Sequence, residues 1–230
     1  MAVAVKICGL TDLPALAAAI EGGASWLGLV FYPPSPRALS PEAAAGLAAH
    51  APEGRTLVGV FVDPDDALLD QVLTRVPLNA LQLHGGESAE RVRAIKARTG
   101  CAVIKALQVA EAGDLAPVAR YAAVADMILF DARPPKEPGR LPGGNGLAFD
   151  WRLLQDLPLA RPWLLSGGLS ADNLAAAVTL CRPHAVDVSS GVESRPGQKD
   201  PAKIRRFLAL ARTLAAPEPA TCTTALSARP

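Results

Sequence analysis

The chain has 230 residues, half of them hydrophobic and 4% aromatic, and its 23 Lys and Arg nearly balance 22 Asp and Glu. That length suits a single α/β barrel of roughly 200–250 residues, and balanced charge without a basic, aromatic-studded run argues against a nucleic-acid partner. The apolar runs are shorter than the ~20 residues that span a bilayer, the start Met-Ala-Val-Ala-Val-Lys does not read as a signal peptide, and Cys8, Cys101, Cys181 and Cys222 show neither CxxC pairing nor metal spacing, so a cytoplasmic protein is expected.

In chain order, short β-rich apolar runs alternate with longer Ala/Leu-rich amphipathic segments. Strands are expected at Val3–Cys8, Trp26–Phe31, Leu57–Phe61, Ala80–His84, Ala102–Ala106, Met127–Asp131, Trp163–Ser166 and Ala185–Ser189. Several are continuous hydrophobic runs, as strands covered on both faces should be. Helices lie between them: Gly22-Gly23 and Gly100 read as C-terminal stops, Ser40-Pro41 as an N-cap followed by proline in the first turn, and Ser170 as the cap of the segment after the seventh strand. Eight βα units over 1–215 predict a single-domain (β/α)8 TIM barrel, with 216–230 as a disordered tail. An open doubly wound sheet is the alternative, but Gly9-Leu10-Thr11 is not its GxGxxG turn. The Pro- and Gly-rich stretch Arg133–Gly146 is expected to be a mobile loop over the substrate, or else a plain connection.

In such barrels chemistry sits at the carboxyl ends of the strands. Ser166-Gly167-Gly168 and Ser189-Ser190-Gly191 end the seventh and eighth strands. Glycines let backbone N–H groups approach an anion, and a following helix N-terminus favours negative charge. One such loop would be read as a tight turn; two at this pair of strands point to phosphate. Cys8 ends the first strand, with Lys6 two residues earlier on the same face. A nearby ammonium favours thiolate, which serves as base or nucleophile, whereas a buried cysteine is more often inert filling. Lys6 reads equally as part of a structural ion pair. Lys105 lies within the fifth strand. Asp131 follows Met127–Phe130, where partial desolvation favours the protonated form and so a proton donor; helix capping is the plainer reading. Arg37, in a Pro-rich loop, can grip a carboxylate through two parallel hydrogen bonds, or can be a solvated surface residue. His84 and Asp187 end the fourth and eighth strands.

The ordered set Lys6-Ile7-Cys8-Gly9, Phe31…Ser35-Pro36-Arg37, Gln82-Leu83-His84-Gly85, Leu129-Phe130-Asp131, Gly143-Gly144-Asn145-Gly146…Phe149-Asp150-Trp151, Leu165-Ser166-Gly167-Gly168-Leu169…Asn173 and Val186-Asp187-Val188-Ser189-Ser190-Gly191-Val192-Glu193…Pro196-Gly197…Lys199-Asp200 resembles the phosphoribosylanthranilate isomerase family of tryptophan biosynthesis. The resemblance implies an Amadori rearrangement of N-(5′-phosphoribosyl)anthranilate to 1-(2-carboxyphenylamino)-1-deoxyribulose 5-phosphate, with no cofactor and no metal. It makes Cys8 the general base and Asp131 the general acid. It places Arg37 on the anthranilate carboxylate and Lys6, His84 and Asp187 among the substrate-binding residues, with Asp187 on a ribose hydroxyl or in a structural ion pair. Gly167, Gly168, Ser189, Ser190 and Gly191 would hold the phosphate. The partner implied is a small phosphorylated substrate, not a membrane or nucleic acid, and the enzyme would be a monomer or homodimer. Leu13-Pro14-Ala15 departs from the acidic residues the family often carries in the first helix. An indole-glycerol-phosphate synthase-like lyase would need a longer N-terminal extension and a catalytic lysine–glutamate pair. A non-catalytic phosphate-binding barrel would tolerate the loss of Cys8 and Asp131.

Overall fold

The structure, a computed structural model, describes residues 2–134, 143–155, 157, 159 and 161–216. Eight parallel strands close into a barrel in sequence order: β1 (Ala4–Cys8), β2 (Trp26–Val30), β3 (Thr56–Phe61), β4 (Ala80–Leu83), β5 (Ala102–Val109), β6 (Met127–Ala132), β7 (Trp163–Leu165) and β8 (Ala185–Val188). The closure pairs β1 with β8, Lys6 opposite Asp187.

The pleat sorts each strand into two faces. Outward side chains such as Ile7, Leu27, Leu81, Val103, Phe130 and Val186 belong to the main core. Inward ones, including Val58, Ala80, Ile104, Leu129, Leu164 and Ala185, form a second cluster in the barrel lumen. Cys8, Val30 and Val60 form a third cluster, and alternation places it on the lumen side one layer nearer the mouth. Polar residues two places further along the same inward rows (Gln82, Asp131, Ser166 and Asp187) are therefore delivered to the mouth, where they remain buried. The apolar lumen fixes the register of the polar layer above it, because a one-residue slip would turn every inward side chain outward.

Seven α-helices cover the barrel among the described residues: α1 (Leu13–Glu21), α2 (Pro41–Ala48), α3 (Asp66–Leu73), α4 (Ala89–Thr99), α5 (Val118–Ala122), α6 (Leu174–Cys181) and α7 (Pro201–Ala211). Ser40 caps α2 as expected, accepting from Ala43 N, and Gly100 ends α4 in the left-handed region at φ 63°. Asp12, Asp65, Ser88 and Asp200 cap α1, α3, α4 and α7 in the same manner. Each satisfies one of the N–H groups that a helix start leaves unpaired.

Three local expectations are corrected. Ser170 does not cap α6: its Oγ accepts from Asp172 N in the preceding turn, and Asn173 is the residue that begins the helix. After β6 the described residues hold a 3-10 helix, Trp151–Leu154, in place of a full α-helix. Between β8 and α7 lies a 3-10 turn, Ser190–Val192, and then an antiparallel hairpin of β9 (Glu193–Arg195) and β10 (Gln198–Lys199). The tail expected over 216–230 lies outside the described residues except for Ala216, and the same holds for 135–142 of the expected loop.

Candidate active site

A cleft of about 790 Å³, its open mouth included, lies at the carboxyl ends of the strands. Its lining contains Cys8, Arg37, His84, Asp131, Gly167, Gly168, Asp187, Ser189 and Ser190. Cys8 and Asp131 thus face one space from β1 and β6. Lys6 and Gly191 do not reach it.

Lys6 is fully buried and donates to Asp187 Oδ1 at 2.8 Å, while Ser166 Oγ donates to Oδ2 at 3.2 Å. Burial alone would lower the Lys6 pKa, but the charge and hydrogen bond of Asp187, helped by Cys8, outweigh it and hold the ammonium above the usual lysine range. Lys6 is therefore a fixed cation beneath the cleft. Gly28 makes room for it: a Cβ there would stand 3.1 Å from Lys6 Nζ and 3.3 Å from Cys8 Sγ. The expectation that Lys6 tips Cys8 toward thiolate fails in its net direction. Burial is the larger influence and pushes the thiol pKa up, against the pull of Lys6 and with help from Asp187. A sulfur so placed is a thiol at rest and a stronger base once ionised.

Asp131 extends from β6 with Oδ1 accepting from Ala132 N at 2.9 Å. Its Oδ2 lies 3.3 Å from His84 Nε2, a contact too poorly aligned to count as a hydrogen bond. On the other side of the ring Gln82 Nε2 lies 2.9 Å from His84 Nδ1. Gln82 thus holds the ring with its Nε2 edge turned toward the Asp131 carboxylate. Gly143 sits over this pair, and a Cβ there would come 2.7 Å from both Asp131 Oδ2 and His84 Nε2.

Arg37 is buried in the wall of the cleft. Its Nε and Nη2 donate to Glu193 Oε1 and Oε2 at 2.7 and 2.9 Å, and Nη2 also donates to Gly144 O at 3.0 Å. Among the described residues the Nη1 N–H groups are then the ones left for a ligand, so two parallel bonds through Nη1 and Nη2 require Gly144 O to give way. Lys199 completes the cluster, donating to Glu193 Oε1 at 2.6 Å. Burial would raise the Glu193 pKa, yet Arg37 and Lys199 together bring it below the ordinary glutamate range.

Gly167 and Gly168 both adopt left-handed backbone, φ 83° and 66°. A Cβ at Gly168 would meet the Leu147 and Ala148 backbone at 2.8 Å. Ser189 Oγ donates to Cys8 O at 3.1 Å and accepts from Lys199 Nζ at 3.1 Å, so its hydroxyl hydrogen is turned to the β1 backbone and away from the cleft. Gly191 has another use: a Cβ there would lie 1.9 Å from Leu169 O, so it lets the β8 loop pack against the β7 loop.

Lys105, though on a strand near its mouth, does not face the cleft. Ile104 and Ala106 occupy the lumen, so the pleat turns Lys105 outward, where it donates to Glu87 Oε2 and Gly85 O at 2.8 Å each. This pair stands behind the sheet and does not supply the lysine–glutamate pair that the lyase alternative needs. Sequence reasoning gave no role to Gln82, Gly28, Glu193 or Lys199. Pro196-Gly197, a turn dipeptide, is the one local signal of the hairpin that carries the last two.

The family model described as N-(5′-phosphoribosyl)anthranilate (PRA) isomerase matches residues 5–209. The N-(5′-phosphoribosyl)anthranilate isomerase of Paracoccus denitrificans is 57% identical over 92% of this chain and 98% of its own. That of Rhodospirillum centenum is 56% identical over 93% and 100%. A Thermotoga maritima phosphoribosyl anthranilate isomerase structure superposes with a TM-score of 0.82 at 40% identity, covering 92% of this chain and all of that one. Another solved isomerase, in complex with reduced 1-(o-carboxyphenylamino)-1-deoxyribulose 5-phosphate, gives 0.79 at 40% identity, with coverage of 92% and 100%.

Proposed function

Because the chain belongs to the N-(5′-phosphoribosyl)anthranilate isomerase family, we propose that Cys8 and Asp131 are the base and acid of that reaction. The enzyme isomerises N-(5′-phosphoribosyl)anthranilate to the 1-deoxyribulose 5-phosphate in tryptophan biosynthesis. The observation that carries the assignment is that the sulfur and the carboxyl line one cleft, which Arg37 and the two Gly/Ser loops also border.

Protonated Asp131 gives its proton to the furanose ring oxygen. The C1′–O bond breaks as the anthranilate nitrogen lone pair moves in, leaving a cationic Schiff base. His84 Nε2, 3.3 Å from Oδ2, faces the carboxylate that this step creates. Cys8 thiolate then removes the proton on C2′, and the released electron pair neutralises the nitrogen as an enolamine forms. Loss of the C2′ hydroxyl proton and gain of one at C1′ yield the ketone. The adjacent iminium acidifies C2′, so a thiolate is a sufficient base. Each proton transfer of this kind contributes about 10²–10⁴-fold. Arg37 Nη1 meets the anthranilate carboxylate, and the backbone around Gly167, Gly168, Ser189 and Ser190 meets the phosphate. Asp187 lines the cleft, so one of its oxygens reaches a ribose hydroxyl without leaving Lys6. Lys6 and Gly191 act from outside the cleft, through Asp187 and through loop packing.

Every group named belongs to one chain, so monomer and homodimer serve equally. We place the enzyme in the cytoplasm, a reading supported by the described cysteines, none of which is in a disulfide.

The test is the fall of anthranilate-type fluorescence when purified protein meets phosphoribosylanthranilate generated in situ. Wild-type protein should quench it, while Cys8→Ser and Asp131→Asn should keep a native circular-dichroism spectrum and each lose about 10²–10⁴-fold or more in kcat. Near-normal turnover in either variant removes that residue's role, and steady emission with wild-type protein removes the substrate.

A further inference from the structure

Glu193 and Lys199 take no part in the chemistry above, yet both are buried beside it. The Glu193 carboxylate is saturated. Oε1 accepts from Arg37 Nε and Lys199 Nζ at 2.7 and 2.6 Å, and Oε2 from Arg37 Nη2 and Gly197 N at 2.9 and 3.3 Å. Lys199 is equally committed, its other two N–H groups reaching Ser189 O and Ser189 Oγ at 3.1 Å each. Ser189 Oγ passes the chain on to Cys8 O. The hairpin is also pressed against the Arg37 loop by its backbone. Gly197 turns at φ 82°, and a Cβ there would lie 2.5 Å from Pro36 O.

We propose that Glu193 and Lys199 are positioning residues: through them the hairpin of β9 and β10 holds the Arg37 guanidinium and the Ser189 loop in one frame, and so sets the spacing between the carboxylate-binding and phosphate-binding ends of the cleft. The inference rests on the isomerase reading and deepens it. Glu193 grips the Nε/Nη2 edge, which leaves Nη1 aimed by default. Without that grip the guanidinium regains its rotamers, and a ligand must re-order it on binding. The two cations and one anion also leave a net positive charge beside a substrate that is anionic at both ends. The bonds join loops that follow β2 and β8 to the last residue of β1, with Glu193 holding the carboxylate-binding end directly and Lys199 the phosphate-binding end.

The test measures inhibition by three probes: the reduced product analogue, the same analogue lacking the ring carboxylate, and inorganic phosphate. Glu193→Gln should weaken the carboxylated analogue by roughly tenfold or more, as for loss of a charge-assisted bidentate grip. It should change the decarboxylated analogue by less than about twofold and raise KM more than it lowers kcat. In an Arg37→Ala background the further change on adding Glu193→Gln should vanish, the mark of two residues acting as one. Lys199→Met should weaken inorganic phosphate several-fold through the released Ser189 loop. If Glu193→Gln fails to fold, with Arg37 and Lys199 left facing each other, Glu193→Gln with Lys199→Met removes one charge of each sign, and its loss for the carboxylated analogue should again exceed that for the decarboxylated one. Equal weakening of both analogues, no weakening, or a full Glu193 effect that persists without Arg37 overturns the proposal. Wild-type turnover of phosphoribosylanthranilate reports on the isomerase reading separately, so the two failures are distinguishable.

Discussion

Replacing Gly28 with alanine should damage both stability and turnover, because one methyl group would enter the space where two functional side chains converge. The new Cβ would stand 3.0 Å from Cys8 Cα, 3.1 Å from Lys6 Nζ and 3.3 Å from Cys8 Sγ. Each distance needs a few tenths of an ångström of relief. The Cys8 backbone is held by pairing with β2, and Lys6 is tied to Asp187 at 2.8 Å, so neither yields freely. Overpacking of a tight core costs about 1–3 kcal/mol. The stiffer unfolded chain of an alanine variant returns about 0.4–1 kcal/mol. The middle of each range leaves a net of about 1 kcal/mol, a fall of roughly 2–4 °C in Tm for a chain of this size. Since a 1 Å misplacement can cost about 10²-fold in rate, a shift of a few tenths at Sγ should lower kcat by roughly three- to tenfold. Thermal denaturation by circular dichroism and the fluorescence assay read the two effects. Gly46 on α2, whose added Cβ would meet nothing within 4 Å, provides the control: Gly46→Ala should leave kcat alone and not lower Tm. Wild-type Tm and kcat in Gly28→Ala would refute the idea that this glycine seats Lys6 and Cys8.

Burial raises the Cys8 pKa, so kcat/KM should still be climbing with pH where an ordinary thiol, near 8.5, has half-ionised; a limb centred at or below that pH in a pH–rate profile would contradict it. The same shift has a stability sign: a folded-state pKa above the unfolded one gives stability that is present below the unfolded thiol pKa and lost as pH rises through the folded value. Melting temperature should therefore fall faster at alkaline pH in wild-type protein than in Cys8→Ser. Lys105→Met strands the buried Glu87 carboxylate, which otherwise sits 2.8 Å from the ammonium, and should cost about 3–5 kcal/mol. Calorimetry should show most of that loss reversed by adding Glu87→Gln, and no loss in the single variant would exclude the pair from the stability of the β4 loop.

The strands were legible because a buried parallel strand has to be a short apolar run. The expected and observed ranges agree within two residues at each end, apart from β5, which runs on to Val109. Helix starts were legible where Ser precedes Pro, as at Ser40, and misplaced at Ser170, where the serine bonds within a turn of its own. Cys8 and Asp131 could be read as strand ends facing one mouth, but the net effect on the thiol could not: it depends on how much burial outweighs Lys6, a three-dimensional balance. The facing of Lys105 follows from its neighbours Ile104 and Ala106, which occupy the lumen and turn it outward. Glu193 lies 156 positions from the arginine it grips, and its strand is three polar residues long, so neither periodicity nor spacing reveals the link.

The carbonyl of Gly144 already accepts an N–H of Arg37 that an incoming carboxylate would want. A carboxylate that stays on Nη1 leaves that bond in place, whereas one that takes Nη1 and Nη2 together makes docking an exchange: a neutral oxygen departs and an ionised one arrives. Both bonds draw on the ionised guanidinium, but only the carboxylate adds an opposite full charge, so the swap favours the acid, yet by less than a vacant guanidinium would. A compound lacking the acid group has nothing with which to evict the backbone, so the arginine screens its visitors by making them compete with the protein's own chain.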